Sequence, residues 1–560
     1  MLLTVLIPVF GVSALAAPAS QFHPRAAAPT VTINNGTVVG STSGNVDSFL
    51  GIPFAQPPVG PLRLKPPQSI NATFGTFVAT STPSSCPQLT TSVDTENLPG
   101  DVIALVEDSP ATQDAEGDSE DCLTITVQRP STADSTSKLP VLMWIFGGGF
   151  EFGGISSYDG SGIIQKSIDL GQDVLYVEAN YRVGGFGFLA GKELQADGST
   201  NIGLRDQRLA MQWVAENIEA FGGDPDKVTI WGESAGSISV FDQTIINGGD
   251  NTYNGAALFR GAIMDSGSVV PALDVASEPA QNIYDSVVES AGCADSDDTL
   301  ACLRSLDYSR YLEAANSVPS IESYRSLDLS YLPRPDPTDN FFPTSAEVAL
   351  DEGFAKVPII IGDQEDEGTL FALEQTNITT TQELVDYLFS YFPNATEADI
   401  AELVDLYPDK ASAGSPFRTG DLYNIYPQFK RLAAILGDLT FTLTRRSYLN
   451  TVAAEVSAWS YLSSYYHATP VLGTFHETDL FVIYDDTMAT LQSQILTYYI
   501  SFVNSLDPNS IAQNITWPAW TNASAELLQF QTGGANNLLA DDFRSPAYDF
   551  LVSHESELRV

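Results

Sequence analysis

The sequence predicts an α/β fold: a central, mostly parallel twisted sheet flanked by helices. Three observations carry that expectation. Near-continuous apolar runs of strand length recur through the middle of the chain, segments with helical periodicity lie between them, and glycines follow directly on two of the runs. Strands buried on both faces read as unbroken apolar runs, and their alternation with helices implies parallel pairing.

Residues 139–146 (LPVLMWIF) form the first such run and residues 174–181 (VLYVEANY) the second. Residues 204–221 then predict an amphipathic helix, with Ala210, Val214, Ile218 and Phe221 on one face. Gly222-Gly223-Asp224-Pro225 stops it. A short strand over residues 228–231 (VTIW) leads into Gly232, and further strands are expected at residues 261–264 and 357–361. In open sheets of this kind the site lies at the carboxyl ends of the strands.

The chain has 560 residues and 43% hydrophobic content, enough for a large buried core. Lys and Arg total 25 against 70 Asp and Glu, a formal net charge of -45. Such an acidic chain offers no basic stripe, which argues against nucleic acid and anionic membrane surfaces as partners; the acidity reads as solubility outside a cell. Residues 1–16 carry an apolar run and an Ala-x-Ala end, the pattern of a secretory signal peptide too short to remain as a membrane span. Residues 17–27 read as a short extension and residues 28–560 as one catalytic domain. Six sequons, at Asn35, Asn71, Asn377, Asn394, Asn514 and Asn522, agree with a secreted, extracellular glycoprotein. The four cysteines, Cys86, Cys122, Cys293 and Cys302, allow three pairings; nearest neighbours, Cys86–Cys122 and Cys293–Cys302, are the expected ones. No Cys-x-x-Cys and no histidine cluster suggests a metal site, and no cofactor is expected.

Gly232-Glu233-Ser234-Ala235-Gly236 sits between a β-run and a helix start. On so tight a turn the residues two positions either side of the serine press against adjoining backbone, where a side chain would clash. The turn lifts the Ser234 hydroxyl over a helix N-terminus, an end that favours developing negative charge. Residues 139–146 end in Gly147-Gly148-Gly149-Phe150. Consecutive glycines after a strand let backbone N–H groups approach a tetrahedral oxyanion, and the Ala235 N–H can join them.

A serine nucleophile needs a general base. The histidines are His23, His467, His476 and His554. The first and last lie near the chain ends. Between His467 and His476, the glycine-containing loop around His476 favours the latter. The acid is expected between serine and histidine in chain order, where residues 357–368 (VPIIIGDQEDEG) end in Asp363, Glu365, Asp366 and Glu367. Spacing does not choose among these four.

Together these motifs resemble the type-B carboxylesterase family of α/β-hydrolase fold, which includes cholinesterases, carboxylesterases, bile-salt-activated lipase and secreted fungal lipases. The likeness runs from Phe49-Leu50-Gly51-Ile52-Pro53-Phe54-Ala55 and Leu62-Arg63 through Ser119-Glu120-Asp121-Cys122-Leu123, Asn180-Tyr181-Arg182 and Asn201-Ile202-Gly203-Leu204-Arg205-Asp206-Gln207 to Phe221-Gly222-Gly223-Asp224-Pro225 and the serine elbow. The resemblance implies Glu367 as acid and His476 as base, Gly148, Gly149 and Ala235 as oxyanion donors, and the two nearest-neighbour disulfides. Within the family the sequence is most similar to Candida-type fungal lipases, on Phe146–Glu151, Gly362–Gly368 and Leu472–His476. That likeness implies a lid over residues 86–122, where a helix would put Val102, Leu105 and Val106 on one face. This loop contains no aromatic residue, so the quaternary-ammonium tryptophan of cholinesterases has no counterpart. The expected substrates are neutral lipophilic esters (acylglycerols, sterol esters, medium-chain esters), met at a lipid–water interface. An esterase for short-chain or aromatic esters and a non-catalytic adhesion protein on the same fold are the alternatives.

Overall fold

A computed structural model describes residues 28–89, 99–107, 117–484 and 488–560. The expected signal peptide and extension lie outside these residues, as do the two flanks of the expected lid helix.

Eleven strands make the main sheet: β1 (Ser41–Ser43), β2 (Val46–Pro53), β3 (Thr124–Pro130), β4 (Leu139–Ile145), β5 (Leu175–Ala179), β6 (Gly223–Glu233), β7 (Gly261–Asp265), β8 (Ile359–Gln364), β9 (Ala458–Ser463), β10 (Glu526–Phe530) and β11 (Asn537–Ala540). Their spatial order is β11-β10-β9-β8-β7-β6-β4-β5-β3-β2-β1. The seven strands from β10 to β5 pair in parallel, and antiparallel strands close both edges. Thr30–Ile33, Gly36–Val39 and Gly75–Val78 form a small separate sheet. The main sheet is the mostly parallel one expected from the apolar runs, with the α/β-hydrolase architecture that the family resemblance implies, and every residue of β5, β7, β8 and β9 is buried.

The boundaries differ from expectation at two places. The helix expected over residues 204–221 is an α-helix, α2 (Ile202–Asn217), whose last turn tightens to a 3-10 turn at Ile218–Phe221. The glycines that end it do not form a loop: Gly222 takes a left-handed conformation (φ 97°), and β6 begins at once with Gly223. Leu139 pairs with Gly223 in the sheet, so tertiary pairing extends the strand well ahead of the four apolar residues visible in the sequence.

Adjacent strands β4 and β6 place Trp144 against Trp231, ring centroids 4.4 Å apart, in the middle of the core. Several buried charges are paired. Arg182 grips Asp206 at 2.7–3.0 Å, and Arg445 bridges Asp363 (2.6 Å) on β8 to Asp541 (2.8 Å).

Both disulfides link nearest neighbours, Cys86–Cys122 and Cys293–Cys302. Arg63 holds Glu120 through two bonds of 2.6 and 2.8 Å beside the first bridge, so the base of that loop is doubly fixed. Within it, Gly100–Glu107 forms a helix, α1, and its Val102 and Val106 are buried against an apolar cluster that includes Phe371 and Phe441. The asparagines of five sequons, Asn71, Asn377, Asn394, Asn514 and Asn522, are exposed. Asn35 is half-buried and its side-chain amide donates to the carbonyls of Ile70 and Ala72. Among the described residues no helix is long and apolar enough to cross a membrane.

Candidate active site

The four parallel strands β4, β6, β8 and β9 deliver their carboxyl ends to one place. Ser234 follows β6 directly and starts α3 (Ala235–Ile245). Its backbone, at φ 55° and ψ -126°, is a conformation that few non-glycine residues adopt. The neighbouring glycines permit it. A Cβ at Gly236 would lie 2.0 Å from the Ile145 carbonyl oxygen, and one at Gly232 would lie 2.4 Å from backbone atoms of Gly236. The Ser234 N–H donates to the Asp265 carbonyl at 2.9 Å, which ties the turn to β7.

The structure brings Ser234, His476 and Glu367 into one hydrogen-bonded line. The Ser234 Oγ lies 2.8 Å from His476 Nε2, and His476 Nδ1 lies 2.6 Å from Glu367 Oε2. The second carboxylate oxygen of Glu367 accepts the Gln364 N–H at 2.7 Å. Phe371 and Phe441 wall the imidazole, with ring centroids 5.1 and 4.6 Å away. This arrangement holds the ring in one plane and leaves Nε2 free to exchange a proton with Ser234.

The other sequence candidates are engaged elsewhere. Asp363 pairs with Arg445, and Glu365 is gripped by Arg418 through two bonds. Asp366 accepts from Ser415 Oγ, the Phe417 N–H and the Thr474 N–H at 2.7–3.0 Å. Its own N–H returns a bond to the Thr474 carbonyl, so Asp366 stitches the acid-bearing turn to the His476 loop. Gly473 makes that approach possible: a Cβ there would lie 2.2 Å from Asp366 Oδ2. His467 stands beside Glu365 and Asp366, with candidate ligand atoms of the three within 4.8 Å of one another, but both carboxylates are already committed to protein donors. His554 stacks on Phe550, and His23 lies outside the described residues.

Gly147, Gly148 and Gly149 curl past the serine. A Cβ at Gly147 would lie 2.9 Å from Ser234 Cβ, and Gly148 and Gly149 take φ values of 103° and 61° that favour glycine. Among the described residues, no protein acceptor takes the N–H groups of Gly148, Gly149 and Ala235. Fixed, unengaged donors of this kind next to a nucleophile stabilise negative charge without reorganising.

Sequence reasoning assigned no role to two buried acids at this site. Glu233, the variable residue of the elbow, has an oxygen 3.5 Å from His476 Nε2, and burial raises its pKa well above the carboxylate range. Glu151 is wholly buried, pushed up to about 8 by burial, and accepts the Ile321 N–H at 2.7 Å. Ile321 in turn lines the space beside Ser234. Both stood inside quoted motifs, Glu233 in the elbow and Glu151 at the end of Phe146–Glu151, but nothing local marked either as a buried acid.

Two cavities meet at Ser234. One, lined by Val106 of α1, Gly148, Leu370, Phe371 and His476, lies beneath the candidate lid. The other is mainly apolar, is lined in part by α3, and spans about 1230 Å³ of empty space, open solvent included. The Ser234 residue itself is only 8% exposed.

Residues 27–550 match the model of the carboxylesterase family. The chain is 51% identical to "Secreted lipase 1" of Botryotinia fuckeliana (strain B05.10) over 568 aligned residues, covering 98% of each chain. It is 51% identical to "Secreted triacylglycerol lipase LIP1" of Gibberella zeae over 558, covering 97% of this chain and 93% of the relative. Among solved structures, Aspergillus niger EstA superposes with a TM-score of 0.78 at 30% identity, over 95% of this chain and 99% of that one.

Proposed function

The chain belongs to the carboxylesterase family and is a carboxylic ester hydrolase, and from that premise we propose that it is a secreted lipase in which Ser234, His476 and Glu367 form the catalytic triad. In this reading His476 takes the Ser234 proton as the oxygen attacks the ester carbonyl. Gly148, Gly149 and Ala235 donate to the oxyanion. The alcohol leaves with the proton from His476, and water, activated by the same imidazole, releases the acid from Ser234. Glu367 holds the ring and steadies the imidazolium. The mechanism draws on no metal or cofactor.

The observation that carries the lipase reading is the position of Ser234 Oγ, bonded to His476 in the wall of a mainly apolar cavity. A cavity with that lining suits the acyl chain of a neutral lipophilic ester. The buried valines of α1 support a lid that closes over the opposite side and exchanges its packing for a lipid surface. Residues 28–560 act as one catalytic domain, with the loop 86–122 as its movable part, exported by residues 1–16 and glycosylated at exposed sequons.

Hydrolysis of p-nitrophenyl butyrate and emulsified triolein by the wild type tests this. Turnover of both, with a jump in rate when triolein passes from monomer to emulsion, is the expected result. Cleavage of butyrate alone would make the protein an esterase for short chains with α1 as a fixed wall.

A further inference from the structure

The cavity beside α3 has one chemical inconsistency. Ser234, Ile238 and Asp242 stand four residues apart on successive turns, so they share the face of α3 that lines it. The first two suit an ester and its acyl chain. Asp242 is a carboxyl, only 2% exposed, and among the described residues its Oδ2 has no hydrogen-bond partner. The neighbouring polar groups of the cavity wall are satisfied by the protein: Thr444 Oγ1 donates to the Thr440 and Phe441 carbonyls at 2.9 Å, and Ser447 Oγ donates to Glu555 at 3.1 Å.

Burying a polar group without a partner costs stability, and a wall position needed only for packing is better filled by an apolar side chain. The group that completes Asp242 therefore belongs in the cavity. Burial pushes its carboxyl well above the ordinary range and so favours the neutral form, in which one oxygen donates and the other accepts. A neutral carboxyl facing a mainly apolar passage, whose other polar groups named above bond one another or the backbone, matches a hydroxyl, which also both donates and accepts, rather than a cation.

Position sets where that hydroxyl must be. Eight residues separate Asp242 from Ser234, a rise of about 12 Å along the helix. An extended chain covers about 1.2 Å per bond, so the two are roughly ten bonds apart. We propose that Asp242 is a specificity-determining residue that selects acyl chains bearing a hydroxyl near their tenth carbon. The assignment rests on the reading of this cavity as the acyl site.

The test compares kcat/KM for p-nitrophenyl hexadecanoate, its 10-hydroxy derivative and its terminally hydroxylated derivative in wild type, Asp242→Asn and Asp242→Leu. The expected result is that the ratio of 10-hydroxy to plain ester falls about tenfold in Asp242→Leu, the worth of one neutral hydrogen bond. Asp242→Asn, which keeps a donor and an acceptor, retains the ratio, and the ratio for the terminal hydroxyl does not move in either variant. The plain ester is the internal control for folding, because each ratio is taken within one protein. An unchanged ratio in Asp242→Leu overturns the proposal, as does an equal fall for the terminal hydroxyl. Wild type that cleaves butyrate but none of the three long esters overturns the acyl-site reading, and this assignment with it.

Discussion

Glu367 holds His476 from one side only: Oε2 lies 2.6 Å from Nδ1 while Oε1 is occupied by the Gln364 N–H at 2.7 Å. The carboxylate therefore cannot rotate away, and the imidazole is kept in the tautomer that presents Nε2 to Ser234. Glu367→Gln places an amide against Nδ1 or against the Gln364 N–H, and one of the two contacts becomes donor to donor. We expect kcat to fall by roughly 10³- to 10⁴-fold with KM little changed. Steady-state kinetics on p-nitrophenyl butyrate check this, and the circular dichroism of the variant should match wild type.

Gly236→Ala should fail differently. The added Cβ meets the Ile145 carbonyl at 2.0 Å, and neither β4 nor the elbow can yield without moving Ser234. Overpacking of this kind against backbone costs about 3 kcal/mol or more. The expected result is a lower melting temperature together with loss of activity, whereas Glu367→Gln loses activity alone.

The lid reading makes a separate claim on α1. Val106→Asp puts a charge where the valine is 4% exposed, against the cluster that contains Phe371. The closed position is weakened, so activity on soluble butyrate should rise and the stimulation by an emulsion should shrink. If both stay as in wild type, α1 is a fixed wall. Replacing Cys86 and Cys122 with serine removes a cross-link between residues 36 apart, worth roughly 3 to 4 kcal/mol in the chain-entropy model, and should lower thermal stability measurably.

Stability should also depend on pH in a defined direction. Burial pushes Glu151 up to about 8 and Asp366 up to about 7, with the charge of Glu365 adding to the second. In the unfolded chain both carboxyls lose their protons near pH 4. Between about pH 4 and 8 the folded state thus binds more protons, and stability falls as pH rises through that window. The net charge of -45 at pH 7 adds self-repulsion in the same direction. Scanning calorimetry from pH 4 to 8.5 should give the highest melting temperature at the acid end. Glu151→Gln, which keeps an acceptor for the Ile321 N–H, should flatten the upper part of the curve.

The parts of this site legible in the sequence are those made by neighbours in the chain. The elbow around Ser234 and the run Gly147–Gly149 declare themselves because a strand, a glycine and a helix start lie within a few residues. Glu367 could not be told from Asp363, Glu365 and Asp366 by spacing, since all four end one strand and only the fold decides which meets His476 and which meets Arg445, Arg418 or Ser415. Only the family resemblance singled it out. Asp366 was visible only as one of the four candidate acids and Glu151 drew no role, for the same reason: each positions the site through contacts across long sequence separations. Nothing in the sequence marks Asp242, because its burial arises from packing on every side of α3. The early start of β6 was hidden by its Gly-Asp-Pro opening, where pairing with Leu139 overrides local turn chemistry.

The central claim is that Ser234 carries the acyl group. A p-nitrophenyl alkylphosphonate, which stops at the first covalent step, tests it most directly. The expected result is one equivalent bound per chain, activity lost in proportion, and the added mass confined by peptide mass spectrometry to the segment containing Ser234, with no labelling of Ser234→Ala. Labelling at another residue in step with inactivation, or ester hydrolysis by Ser234→Ala at the wild-type rate, would contradict it.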